Sequence, residues 1–331
     1  MVLLRTGSRP PSVRSFSPIH LARTVPGGAE AMQGGDAGGF AGVRSGHRSP
    51  LAGRVVSAFL SRGYHIVDYS DTRGCVDLIA KSGPDVFAVR ILSNVDALRE
   101  ESVAEFVRVA AAVGATPVIV GERTKRDALR DGVVYRRYGV SVVTPGTLEQ
   151  VLDGDLPVFE EFKGKRVVYF NPEALRSARE SLGLSQNDLA REVGTTKDTI
   201  YRYERGFPAS EATAEKIARL LGRRVFAPVD LGFKGELRCS NVFEFRRAPW
   251  DLFVAVHKTL ALSRTRGVVK RKVEILRRGR GVVHDYYAVI VSSGSKAPED
   301  VPAITEEELR AVARPEDLVK LVRDELDEVE G

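Results

Sequence analysis

The chain has 331 residues, 43% of them hydrophobic, which is material for two or three domains with real cores, and its formal net charge of +6 suits a polyanionic partner without demanding one. Its two cysteines, Cys75 and Cys239, stand far apart with no histidine or second cysteine beside either, which excludes a zinc cluster or a disulfide framework and fits a reducing cytoplasm. No run of about 18 apolar residues exists, so no segment reads as a membrane-spanning helix.

Residues 1–46 are rich in Gly, Ser, Pro and Arg, carry only Glu30 and Asp36 as acids and show no sustained periodicity. Two readings stand: a disordered arm, or a stretch ahead of the true translation start, which would lie at or near Met32, the only methionine besides Met1.

From residue 47 to 156 the pattern alternates. Leu51, Val55, Phe59 and Leu60 mark a helix; HIVDYS, CVDLIAK and DVFAVRIL read as three strands, the last two joined at Gly83-Pro84. A helix over about 96–113 follows, then PVIVG as a short buried strand, a charged connection, the strand GVSVVTP and a small helix at TLEQVL. The order α-β-β-β-α-β resembles the core of the restriction-endonuclease-like nucleases and archaeal Holliday-junction resolvases. In those enzymes an Asp at a strand end and a Glu-x-Lys on the next strand hold a divalent metal at the scissile phosphate. Asp77 takes the first place here, but the second reads Ala88-Val89-Arg90. With one carboxylate left, Mg²⁺ lacks its second anchor, so the expectation is an inactive nuclease-like domain with no catalytic residue and no metal or cofactor. Asp85 and Glu105 are the acids from which a replacement could come. The histidines His20, His47, His65, His257 and His284 do not cluster, and no role is assigned to them.

Residues 157–170, PVFEEFKGKRVVYF, form a linker able to add a strand or hairpin. The stretch 171–222 then carries stop and start signals for four short helices. Asn171 caps a helix opening at Pro172, with Leu175, Ala178 and Leu182 on one face and Gly183 at its end. Ser185 and Asp188 form a capping box before Leu189, Ala190 and Val193. Gly194 supplies the tight turn. Thr196 caps a third helix that buries Ile200 and Tyr203 and turns Lys197, Asp198, Thr199, Tyr201 and Arg202 outward, until Gly206 and Pro208 stop it. Ser210 caps a fourth, with Ala214, Ile217, Ala218 and Leu221 inward and Gly222 beyond.

Two helices joined by a glycine turn, the second opening on short polar residues, are what a major-groove reader needs. LSQNDLAREVGTTKDTIYRYERG resembles the helix-turn-helix of the phage Cro and cI repressor superfamily, through Leu184, Ser185, Gln186, Leu189, Ala190, Gly194, Ile200, Glu204 and Gly206. The resemblance implies that Gln186 touches a phosphate and buttresses the reading helix. It implies that Lys197, Asp198 and Arg202 face base edges, that Thr196 and Thr199 meet backbone or bases, and that Arg179 pairs with Glu204. Asp198 departs from the usual neutral or basic residue at its place.

Beyond Gly222, residues 223–331 read as a C-terminal α/β domain. WDLFVAVHKTLAL has a helical pattern through Leu252, Val256 and Leu260; DYYAVIVSS is a strand; Pro315 opens a last amphipathic helix. Between Arg264 and Arg280 every charge except Glu274 is basic, which is either a phosphate-binding patch or a solvated face. The whole arrangement resembles a group of archaeal helix-turn-helix transcriptional regulators. The expectation is therefore a multidomain α/β plus all-α chain: a restriction-endonuclease-like α/β N-terminal domain, a central Cro/cI-type helical domain and a C-terminal α/β segment. Its expected partner is double-stranded DNA, bound as a cytoplasmic homodimer, with a small-molecule or protein effector as a further possibility. A metal-dependent nuclease and an interaction module without DNA binding are the alternatives.

Overall fold

The computed structural model describes residues 49–330, apart from 73, 163, 236–241, 256–258, 266–269, 284–285 and 293–300. The N-terminal arm lies outside the described residues, as do Cys239 and four of the five histidines, His65 excepted. Two compact units form. One holds the described residues of Met1–Ile91, Ala97–Val118 and Gly232–Gly331; the other holds Leu92–Asp96 and Ile119–Leu231.

Helix α1 (Pro50–Leu60) starts where Ser49 accepts the Ala52 N–H and Pro50 needs no donor, and it buries Leu51, Val55, Val56 and Phe59. Strands β1 (His65–Asp68), β2 (Leu78–Ser82) and β3 (Asp85–Asn94) form an antiparallel ladder, with Asp68 opposite Leu78 and Val89 opposite Leu78 from the other side. Phe59, Tyr64 and Phe87 meet as an aromatic cluster beneath it. Helix α2 (Glu100–Ala112) and strand β4 (Thr116–Arg123) complete the α-β-β-β-α-β order expected from the sequence.

The charged connection after β4 contains a strand. β5 (Val133–Arg137) pairs with β6 (Val140–Val143) across Tyr138-Gly139, both at positive φ, a two-residue hairpin turn whose twist matches that of its strands. Val133, Val134 and Tyr135 are buried, and the flanking charges hid that short apolar run. After α3 (Pro145–Leu152), the hairpin β7 (Phe159–Phe162) and β8 (Lys165–Val168) adds to this sheet, β7 running parallel to β5. Helices α4 (Pro172–Ser181), α5 (Gln186–Val193) and α6 (Lys197–Tyr203) come next, then β9 (Ala209–Ser210), which pairs with β8, and α7 (Glu211–Leu221). Val168 and Phe170 therefore share one core with Leu175, Leu189, Ile200, Ile217 and Leu221.

WDLFVAVHKTLAL is not a helix. Its described residues form β11 (Leu252–Ala255) and the start of β12 (Thr259–Thr265), which follow β10 (Val242–Glu244). The helical spacing of Leu252 and Leu260 was coincidental; Leu252, Phe253 and Val254 are all buried, the continuous apolar run of a strand covered on both faces. β12 crosses through α8 (Lys270–Arg278) to a parallel β13 (Tyr286–Ser292), and β14 (Ala303–Ile304) joins parallel to that. Helices α9 (Glu306–Ala311) and α10 (Pro315–Glu330) cover one face, with Leu309, Leu318 and Val322 in the core. Among the described residues no helix is long and apolar enough to cross a membrane.

Candidate nucleic-acid interface

Each helix start in 171–222 uses a side chain to satisfy backbone donors. The Asn171 amide oxygen accepts from Glu173 and Ala174 N–H at 3.1 and 3.0 Å. Ser185 and Asp188 exchange the two bonds of a capping box, at 3.2 and 3.0 Å. Thr196 accepts the Thr199 N–H at 3.3 Å, while the two threonine hydroxyls lie 2.9 Å apart. Gly194 turns left-handed at φ 75°, which sends α6 off at a new angle, and Lys216 donates to the Val193 carbonyl that the turn exposes. Leu182, expected on the apolar face of α4, is 57% exposed, because it sits past the last helical residue at the C-cap.

The end of α6 is tied to the two preceding helices through one carboxylate. Glu204 is buried; it accepts from Arg179 Nε at 2.7 Å and from Gln186 Nε2 at 2.8 Å. Arg179 also donates to the Leu184 carbonyl at 2.8 Å. Its hydrogen bond to Glu204 raises the guanidinium pKa above its usual value, so the arginine stays charged. Gln186 is half-buried and has a second amide N–H beyond the one given to Glu204.

Around this anchor the outward face of α6 presents Lys197, Asp198, Tyr201 and Arg202, all exposed, while Thr199 is half-buried and Ile200 and Tyr203 point into the core. Asp198 lies in the first turn, where a carboxylate complements the partial positive charge of the helix start. Two residues that sequence reasoning did not single out join this face. Arg205 donates to the Tyr201 hydroxyl at 3.0 Å, and the Phe207 ring lies 4.9 Å from the Arg202 guanidinium carbon. Arg205 was legible in principle, four residues beyond Tyr201 and so on the same side of the helix.

The nuclease-like motif has a different chemistry. Arg90 Nη1 lies 2.8 Å from Asp77 Oδ1 and from the Gly74 carbonyl, and the Ile91 N–H donates to Asp77 Oδ2 at 2.7 Å. A guanidinium thus faces the one carboxylate left of the motif. Burial pushes the Asp77 carboxyl above the ordinary aspartate range, against the pull of Arg90. Ala88 is fully buried opposite Ile79. The two acids from which a replacement could come are placed differently, Glu105 near enough to Cys75, two residues before Asp77, to help raise its thiol pKa. Glu105 accepts the backbone N–H groups of Arg246 and Arg247, and Asp85 sits at the far end of its hairpin, opposite Ser82. Cys75 is buried, and burial pushes its thiol up to about 12. Among the described residues no group of three or more His, Cys, Asp or Glu could hold a metal ion.

Part of the basic run at 264–280 is engaged within its own unit. Arg278 meets both carboxylate oxygens of Asp71 at 2.7 and 3.1 Å, Arg271 the Asp71 carbonyl, Lys272 Asp251, and Arg264 Glu306. The Arg278 hydrogen bonds hold the Asp71 carboxyl below its usual range.

Comparison with known families matches residues 48–157 to the PD-(D/E)XK superfamily domain and residues 175–225 to the helix-turn-helix family. Archaeal proteins carrying the provisional name HTH-type transcriptional regulatory protein match most of the chain. The one from Archaeoglobus fulgidus is 28% identical over 296 residues, covering 82% of this chain and 96% of its own. The chain is similar to these archaeal proteins over most of its length. A Thermococcus gammatolerans protein of the same name is 28% identical over 298 residues, 81% of this chain and 94% of its own. A Halobacterium salinarum protein is 36% identical over 186 residues, 56% of this chain and 58% of its own. No solved structure matches. Fold class and helix-turn-helix are thus as the sequence implied: a PD-(D/E)XK domain, a central helix-turn-helix and further mixed α/β structure.

Proposed function

We propose that this protein is a sequence-specific double-stranded DNA-binding transcriptional regulator that reads the major groove with α6. The observation that carries this reading is the exposed set Lys197, Asp198, Tyr201 and Arg202 on a helix locked to α4 and α5 through buried Glu204. A rigid helix with a free polar face can hold side chains to base edges; Arg202 suits guanine, and Lys197 suits a base or a phosphate. Thr196 and Thr199 stand at the helix start, where backbone contacts are made, and Gln186 offers a donor to a phosphate. The helix-turn-helix match and the names of the archaeal relatives support the same function.

One such module spans few base pairs. We read the protein as a homodimer acting in the cytoplasm, because two half-sites about 34 Å apart multiply the affinity of one. The PD-(D/E)XK domain we read as a scaffold without nuclease activity, since Arg90 occupies Asp77 and Ala88 stands in place of the second carboxylate.

Incubating the unaltered protein with end-labelled random-sequence duplex, with and without Mg²⁺, separates this reading from its rivals. Retarded DNA of unchanged length supports the regulator. Shortening that needs Mg²⁺ would establish a nuclease, and the absence of any complex would leave an interaction module.

A further inference from the structure

Helix α6 ends in a left-handed turn at Gly206, φ 85°, with the Gly206 N–H donating to the Tyr203 carbonyl at 3.0 Å and the Phe207 N–H to the Arg202 carbonyl at 3.1 Å. Those two bonds close a helix on a glycine, and the closure brings the residue after the glycine against the residue five positions before it, ordinarily as an apolar pair. Here that pair is Phe207 and Arg202. The Arg202 guanidinium carbon lies 4.9 Å from the Phe207 ring centre, a cation–π contact, and the ring is 47% exposed, so it does not serve a core.

We infer that Phe207 is a positioning residue, which holds the Arg202 guanidinium in place on the reading face before DNA arrives. The inference rests on the reading of Arg202 as a base-contacting residue. Stacking engages the flat face of a guanidinium and leaves the N–H donors in its plane available for a bidentate contact to a base. Among the described residues the Arg202 donors meet no acceptor, whereas Arg205, stacked on Tyr201 at 5.5 Å, also gives an N–H to the Tyr201 hydroxyl. An arginine free to rotate loses rotamer freedom on binding; one already stacked loses less.

The test is a mutant cycle on one selected duplex and on its variants at each base pair, with thermal melting of every variant as a folding control. Phe207→Ala is expected to weaken binding about two- to fivefold, the size of an exposed cation–π contact, and to reduce discrimination at the base pair read by Arg202. In an Arg202→Ala background the same change is expected to add nothing, and Phe207→Tyr is expected to restore wild-type affinity. An unchanged affinity for Phe207→Ala, or a loss that persists undiminished beside Arg202→Ala, overturns the inference; the latter makes Phe207 itself a DNA contact. If Arg202→Ala alone leaves affinity and base preference intact while the protein binds DNA, the reading of Arg202 fails first, and the inference with it.

Discussion

Arg179 on α4 and Glu204 beyond the end of α6 meet at 2.7 Å with both side chains almost fully removed from solvent, and the second Glu204 oxygen takes an N–H from Gln186 at the start of α5. A buried ion pair is weak evidence for net stability, since desolvation opposes the attraction. Breaking it from one side is costly, because the remaining charge stays buried without its partner.

Glu204→Gln should therefore destabilise the helical unit by about 3 to 5 kcal/mol in urea unfolding. Arg176 also approaches Glu204, at 3.8 Å, but is 58% exposed, so Arg176→Ala should change stability by less than about 1 kcal/mol. Equal effects of the two substitutions would contradict the assigned anchor.

Gly74 is a position of close backbone approach. A Cβ there would lie 2.6 Å from the Arg247 carbonyl oxygen, which accepts the Cys75 N–H at 2.7 Å. Gly74→Ala should force these segments apart and cost about 1 to 3 kcal/mol by overpacking, read as a lower melting temperature. Gly53→Ala, where nothing lies within 4 Å, is the matched control and should be neutral or mildly stabilising.

The capping box of α5 gives a pH dependence. The Ser185 hydroxyl, then the Ser185 N–H, hold the Asp188 carboxyl below its ordinary value of 3.8. A folded-state pKa below the unfolded one contributes stability above the unfolded value, and that contribution disappears as the pH falls through the folded value. The melting-temperature advantage of wild type over Asp188→Asn should thus be constant near about pH 6 and shrink as the pH is lowered from 3.8 downward. An advantage unchanged in acid would remove the ionised box from the account.

Legibility in the sequence followed the range of the interactions. The helices of 171–222 were readable because their starts and stops are local: Asn171, Ser185, Thr196 and Ser210 each cap within three residues, and Gly194 and Gly206 take the left-handed turns. The strand pair at Leu252–Thr265 was not, because Leu252 and Leu260 fit a helical period as well as a strand, and only pairing with β10 and β13 decides between them. The partners of the basic run were hidden for a similar reason. Asp71, which neutralises Arg278, lies far away in the chain, and its approach depends on the tertiary fold. Phe207 went unread as a partner of Arg202 because the turn between them, not the helix period, brings them together.

The central claim is that α6 reads base pairs, and the direct measurement is selection of bound fragments from randomised duplex DNA, run in parallel for wild type, Arg202→Ala and Gln186→Ala at two salt concentrations. The account predicts a symmetric site of two half-sites for wild type. Arg202→Ala should relax preference at one position per half-site, by about 1 to 3 kcal/mol. Gln186→Ala should weaken binding evenly across sequences. No enriched site for wild type, or equal losses for both variants on every sequence, would contradict it.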